Sequence, residues 1–205
     1  MEPYTLGKDV GTNLDPYCNH CGYPIEEYLS HIIQVCDRTH GPRIHRHNLL
    51  VHKLVKMLRA KGWQTLCEPI IKTSNTWVKP DIIAWKEDQS VVIDAIVHSD
   101  ASKYSPNKFH FDKVAKYEAI PEVTTYVKNL TGHAPKFSAL AINWRGIIAP
   151  QTEQDMRSLR IRKKDLSFLS IVCIKQSTWI HQKFQQMLSK STSWRKKIVL
   201  TEAKD

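Results

Sequence analysis

An α/β fold, with a central mixed sheet flanked by helices and a small cysteine-rich segment ahead of it, is what the sequence predicts. Three observations carry the prediction. Between Gln64 and His98 lie three strand-like runs separated by the turn-like SN and KEDQ, which reads as consecutive antiparallel strands. Runs with helical spacing stand on either side of them. Three cysteines crowd into residues 18 to 36, where no strand or long helix is legible. With 205 residues, 41% of them hydrophobic, the chain can bury one ordinary core plus an appendage. The expected divisions are a cysteine segment and connector over residues 1–42, an α/β core over 43–150, and a basic, mostly helical segment over 151–205.

The opening MEPYTLGKDVG lacks the apolar segment of a signal peptide, and no apolar stretch reaches the roughly 20 residues that span a bilayer. A cytosolic or nuclear protein with no membrane partner is expected. In that reducing setting five cysteines are read as thiols or metal ligands. Cys18, Cys21, His31 and Cys36 follow the pattern C-x2-C-x9-H-x4-C, which suits the four soft or borderline ligands of a tetrahedral zinc ion. Four protein ligands close such a site, so the Zn2+ expected here is structural. His20 and His40 are rival ligands, and a buried core thiol at Cys36 is the alternative. Cys67 and Cys173 read as small core residues.

The connector DRTHGPRIHRHN places Arg38, His40, Arg43, Arg46 and His47 close together. Either a DNA contact or a solvated face fits them. Beyond Pro42, Leu50, Val51, Leu54, Val55 and Leu58 recur at helical spacing until KGW ends the pattern at Gly62. The strand-like runs then start at Gln64, Thr76 and Ser90. A helix follows with Ser105 as N-cap and Pro106 at its first position, then a second short helix ending at Gly132, then a strand in KFSALAINWRGIIAP. From Gln151 the chain reads as helical, with Trp179, Phe184 and Met187 on the buried face.

The formal charge of +10 gives a positive field that favours a polyanionic partner over a neutral metabolite. From Asp155 onward twelve Lys and Arg stand against four Asp and Glu, so this segment is expected to face phosphate.

Asp94 is the anomaly. It interrupts the apolar run Val91, Val92, Ile93, Ala95, Ile96, Val97, where an isolated carboxylate costs several kcal/mol in effective desolvation. A hairpin turning between Glu87 and Asp88 sets Asp81 opposite Asp94, and one turning between Ser74 and Asn75 sets Glu68 opposite Asp81. Like charges so placed repel unless a hard divalent cation such as Mg2+ or Mn2+ lies between them. The alternative is a protonated Asp94, or one bonded to a buried Lys or Arg. Lys113 and Lys116 share a helix face, with Tyr117 one turn after Lys113. They read as a solvated face when taken alone, and as phosphate-facing cations beside a carboxylate pair.

Asp81 after a proline, an acid twelve or so residues later in an apolar strand and a nearby lysine resemble the PD-(D/E)xK nuclease arrangement. Ile96 occupies the usual lysine position, so the lysine must come from the helix. That displaced lysine, the KPD at Lys79 to Asp81, KVAKY at Lys113 to Tyr117 and the preceding cysteine cluster resemble the C-terminal region of site-specific non-LTR retrotransposon proteins that insert into large-subunit ribosomal RNA genes. The resemblance implies a zinc knuckle and a restriction-endonuclease-like core that nicks double-stranded DNA, leaving 5′-phosphate and 3′-hydroxyl ends. The 3′-hydroxyl would prime reverse transcription of the element RNA by an upstream reverse transcriptase domain, in the nucleus. It further implies metal binding at Asp81 and Asp94 and a catalytic lysine at Lys113 or Lys116; Glu68, from the hairpin register, is a third candidate metal ligand, and Arg43, Arg46, His47, Lys79 and Tyr117 are the expected DNA contacts. A branched-DNA resolvase-like nuclease and a zinc-dependent, non-catalytic DNA-binding module are the alternatives. The chain carries no polymerase motif, and is expected to be a C-terminal piece.

Overall fold

The structure, a computed structural model, describes residues 18, 21, 22, 28–99 and 104–202. A short helix α1 (Tyr28–Gln34) and a 3-10 turn (Asp37–Thr39) lead into α2 (His40–Arg59). The stripe Leu50, Val51, Leu54, Val55 and Leu58 is buried on one side of α2. Gly62, at φ +85°, turns the chain out of the helix, a conformation glycine adopts without a Cβ penalty.

The first two expected strands are each cut in two. Glu68 stands at φ +49° with Pro69 behind it, so the run from Gln64 divides into β1 (Gln64–Cys67) and β2 (Ile71–Lys72). Lys79 and Pro80 likewise separate β3 (Trp77–Val78) from β4 (Ile82–Lys86), because proline has no N–H for a ladder. β2 and β3 form a small antiparallel ribbon of their own. The main sheet has the order β1-β4-β5-β6, where β5 is Gln89–His98 and β6 is Lys136–Asn143. β1, β4 and β5 are antiparallel in turn and β6 runs parallel to β5, so the sheet is mixed, as expected.

The crossover from β5 to β6 carries α3 (Pro106–Glu118) and α4 (Pro121–Thr131). Ser105 accepts a bond from Asn107 N and Pro106 opens α3, while α4 ends on a left-handed Gly132. These helices cover one sheet face, where Val92, Tyr117, Val123 and Val127 pack together. On the other face Val91, Ile93 and Ala95 meet α2, α5 (Pro150–Ser158) and α6 (Lys163–Glu202). Each buried aliphatic side chain there contributes roughly 1.5 to 3 kcal/mol of transfer free energy.

The C-terminal segment thus buries Met156, Leu166, Leu169, Val172 and Cys173 in the main core. Of the three side chains expected inward on α6, Phe184 is buried, Trp179 is half-buried and Met187 is exposed. Among the described residues no helix is long and apolar enough to cross a membrane.

One detail of the register positions the site. β4 accompanies β5 only from Gln89 to Ile93, whereas β6 follows it from Val91 to His98. The sheet therefore opens beside β5 at Asp94.

Candidate active site

The cysteine cluster assembles as its spacing predicts. The ligand atoms of Cys18, Cys21, His31 and Cys36 all lie within 4.8 Å of one another. Gly22 N and Cys21 N both donate to Cys18 O at 2.8 and 3.2 Å, closing the C-x2-C turn. Cys21 Sγ sits 3.3 Å from His31 Nε2. Burial, then the neighbouring thiols of Cys18 and Cys21, push the Cys36 thiol up to about 12, and burial lowers His31. Crowded sulfurs resist ionising unless a cation joins them, and a neutral imidazole is the ligand form. Three sulfurs and a nitrogen fit a closed tetrahedral zinc ion. His40 is exposed at the start of α2 and outside the group, while His20 lies outside the described residues.

Arg43 and Arg46, expected at a DNA surface, turn inward instead. The last carbonyls of a helix lack internal donors and carry the negative end of its dipole, and both guanidinium groups answer that need on α1. Arg43 donates to Gln34 O, and to Val35 O and Cys36 O at 3.3 Å. Arg46 is 2% exposed and donates to Ser177 Oγ at 2.9 Å, Gln34 Oε1 at 2.5 Å and Ile33 O at 3.4 Å. Burial lowers it to about 10. Together they clamp the cysteine segment to α2 and α6, where Ile32, Ile33, Trp144 and Phe184 add an apolar contact.

At the opening of the sheet, the ladder pairs Ile82 with Ile93, so continuing it by one residue sets Asp81 opposite Asp94. Asp81 and Asp94 are 7% and 5% exposed. Asp81 Oδ2 accepts from Ala95 N at 2.6 Å and from His47 Nε2 at 3.1 Å. His47 Nε2 also lies 3.3 Å from Ala95 O. One imidazole N–H thus serves two oxygens. Lys113 Nζ stands 2.6 Å from Asp94 Oδ2, and Tyr117 Oη shares its proton between Asp94 Oδ1 at 3.1 Å and Lys79 O at 3.0 Å.

The electrostatics separate the two carboxylates. Burial raises Asp81, but the His47 bond and charge, the Ala95 N–H and Lys113 outweigh it and leave the group below its usual range. Burial and then the Asp81 charge hold Asp94 above its usual range, despite Lys113 and Lys116. The Asp81 bond, opposed by burial, carries His47 to about 9, so it is an imidazolium at neutral pH. Burial and the Asp94 charge raise Tyr117, which stays a neutral donor.

Four other expected residues are placed differently. Glu68 N bonds Asp81 O at 2.9 Å, as the expected pairing requires. Its left-handed backbone breaks the alternation, however, and its carboxylate pairs with Lys79 Nζ at 3.1 Å with both side chains about half exposed. The expected row of three carboxylates is therefore a pair. Tyr117 is 2% exposed and supports Asp94, so it is no surface for DNA. Lys116 Nζ lies 3.2 Å from Tyr117 Oη and over its ring, one step removed from Asp94. His47 stands at the carboxylates rather than at an outer face. Its i, i+4 relation to Val51 and proximity to Leu50 on the buried stripe was the available signal.

Asp81, Asp94 and Ala95 O supply hard oxygen donors of the kind magnesium or manganese takes. Among the described residues Asp81 Oδ1 has no hydrogen-bond partner, and His47 already directs a cationic N–H at Asp81 Oδ2 and Ala95 O. The residues fit a divalent cation.

No protein-family model matches the chain. Its homologues are Pol polyproteins of R2 retrotransposable elements. The chain is 32% identical over 162 residues to the retrovirus-related Pol polyprotein from type-1 retrotransposable element R2 of Nasonia vitripennis, covering 78% of this chain and 15% of that protein. It is 27% identical over 176 residues to the Pol polyprotein from type-2 retrotransposable element R2DM of Drosophila melanogaster, covering 84% and 16%. A Popillia japonica relative of the type-1 kind is 26% identical over 161 residues, covering 78% of this chain and 33% of the relative. The chain therefore spans a sixth or less of the first two polyproteins. A crystal structure of a protein of unknown function aligns with TM-score 0.32 and 12% identity over 71% of this chain and 96% of that one, too distant to bear on the fold.

Proposed function

We propose that this chain is the endonuclease segment of a non-LTR retrotransposon polyprotein. It nicks target DNA in the nucleus, and the 3′-hydroxyl so made primes reverse transcription of the element RNA by a reverse transcriptase domain elsewhere in the polyprotein. The observation that carries this reading is the pair of buried, adjoining carboxylates at the sheet opening, held by His47 and by Lys113. A buried ion pair is weak support for stability by itself, and two adjoining acids add repulsion that a core has no reason to keep. The R2 homologues and the charge of +10 support the same reading.

Asp81 and Asp94, with Ala95 O, would hold Mg2+ or Mn2+. When bound, that ion polarises the scissile phosphate and lowers the pKa of water. The remaining work falls to the chain. Tyr117, anchored on the Lys79 carbonyl, donates to Asp94 and orients it, and Ala95 N donates to Asp81 and orients that group. The Lys113 ammonium, side chain 26% exposed, can swing from Asp94 to offset charge on the phosphate oxygens. Lys116 supplies a second, more outward cation. Restriction-endonuclease-like topology is part of this proposal, as are the divisions at residues 42 and 150.

The test is nicking of supercoiled plasmid in Mg2+ by wild type, Asp81→Ala and Asp94→Ala, after filter binding shows equal DNA affinity. Nicking lost from both variants with binding intact supports the nuclease. Equal nicking by all three refutes it.

A further inference from the structure

The β2–β3 ribbon leads straight into Pro80 and Asp81, and its two faces differ sharply. Ile71, paired with Val78, is 2% exposed in the cluster under α4. On the opposite face Lys72 is paired with Trp77. Trp77 is 61% exposed and Ile70 65%. Lys72 Nζ stands 5.9 Å from the indole centroid, and Lys79, half exposed, follows two residues after Trp77. An indole left this open forgoes the burial its area offers.

The ribbon is braced rather than loose. Thr73 Oγ1 donates to Thr76 O at 2.7 Å and accepts from Thr76 N at 3.0 Å, and Ser74 N donates to Glu122 Oε1 on α4 at 2.8 Å. With Glu122, Tyr126 and Asn129 of α4, Ile70, Lys72 and Trp77 line an open cleft of about 450 Å3, room for a nucleobase. Of the neighbouring acids, Glu122 accepts from Ser74 N and keeps its charge at the α4 side of the cleft, and Glu68 is paired with Lys79, an exposed pair that Lys79 can exchange for a phosphate.

A flat aromatic face flanked by ammonium groups is the chemistry that binds unpaired nucleotides. Every base offers a π-face to stack, and every linkage a phosphate. Lysines beside an exposed indole add charge complementarity to a polyanion, on a chain whose formal charge is +10. We propose that the Trp77 face is a stacking platform for one unpaired DNA base beside the scissile phosphate, with Lys72 and Lys79 on the flanking phosphates. The substrate class is then DNA opened locally at the cut, rather than intact duplex. This rests on the nuclease reading for the position of the cut alone.

Binding of 2-aminopurine-labelled DNA to the zinc-loaded 205-residue chain, without magnesium, tests it independently of cleavage. Two substrates are compared, a continuous duplex and the same duplex with a short central bubble. Wild type should prefer the bubble and quench its 2-aminopurine. Trp77→Ala should weaken bubble binding roughly 5- to 100-fold and abolish quenching, with duplex binding nearly unchanged, while Trp77→Phe keeps most of both. Lys72→Ala should reduce the salt slope by about one. Unchanged bubble affinity and quenching in Trp77→Ala would overturn the platform, as would quenching confined to an RNA strand of the same sequence. If these binding results hold while wild type fails to nick plasmid, the platform stands and the nuclease reading alone falls.

Discussion

Replacing His47 with glutamine removes the imidazolium that holds Asp81 while keeping a side chain of similar reach. In the folded protein the Asp81 contact carries His47 to about 9, against roughly 6.5 in an unfolded chain. At about 1.4 kcal/mol per pH unit, that difference corresponds to roughly 2 to 3 kcal/mol, allowing for a side chain 30% exposed. The folded state binds this proton more tightly than the unfolded state. The contribution is therefore complete below about pH 6.5 and disappears as pH rises through about 9. Urea unfolding of zinc-loaded protein without magnesium, at pH 6 and pH 9.5, measures it. Wild type should exceed His47→Gln in stability at pH 6, and the gap should shrink by roughly 2 to 3 kcal/mol at pH 9.5. A gap that stays constant between the two pH values would refute the ion pair.

Three further outcomes follow from the same geometry. Arg46→Met leaves Gln34, Ile33 O and Ser177 without their donor, and should cost about 2 to 4 kcal/mol in urea unfolding with DNA affinity unchanged; a loss of DNA affinity without a stability change would contradict its inward role. Removing zinc, by chelation or by Cys36→Ser, should detach the cysteine segment and shift Trp144 emission to longer wavelength, because Trp144 packs against Ile32 and Ile33. Lys113→Met should reduce nicking about 100-fold or more and Lys116→Met less than about 10-fold, and the reverse order would make Lys116 the phosphate-facing cation.

The register that brings Asp81 to Asp94 was legible because the short KEDQ turn leaves one alignment for two apolar strands. The ribbon was not, since Glu68 at φ +49° and Pro80 interrupt runs whose composition is otherwise continuous. For the same reason Glu68 pairs as expected through its backbone and departs through its side chain. Arg43 and Arg46 look like surface cations in sequence. Their partners are carbonyls at and just beyond the end of α1, the Gln34 side chain and a serine 131 residues away, contacts that no local pattern encodes. The cysteine cluster was the easiest to read, because C-x2-C followed by a histidine and a cysteine is a ligand spacing visible in the sequence alone, and the four ligand atoms do converge. Of the two lysines on α3, sequence spacing offered no ranking; the 2.6 Å contact with Asp94 does.

Mn2+ uptake by the zinc-loaded chain, followed by electron paramagnetic resonance, tests most directly whether the carboxylate pair is a cation site. Wild type should bind about one or two ions, and Asp81→Asn and Asp94→Asn should each weaken binding about 10-fold or more. Uptake unchanged in both variants would contradict the account.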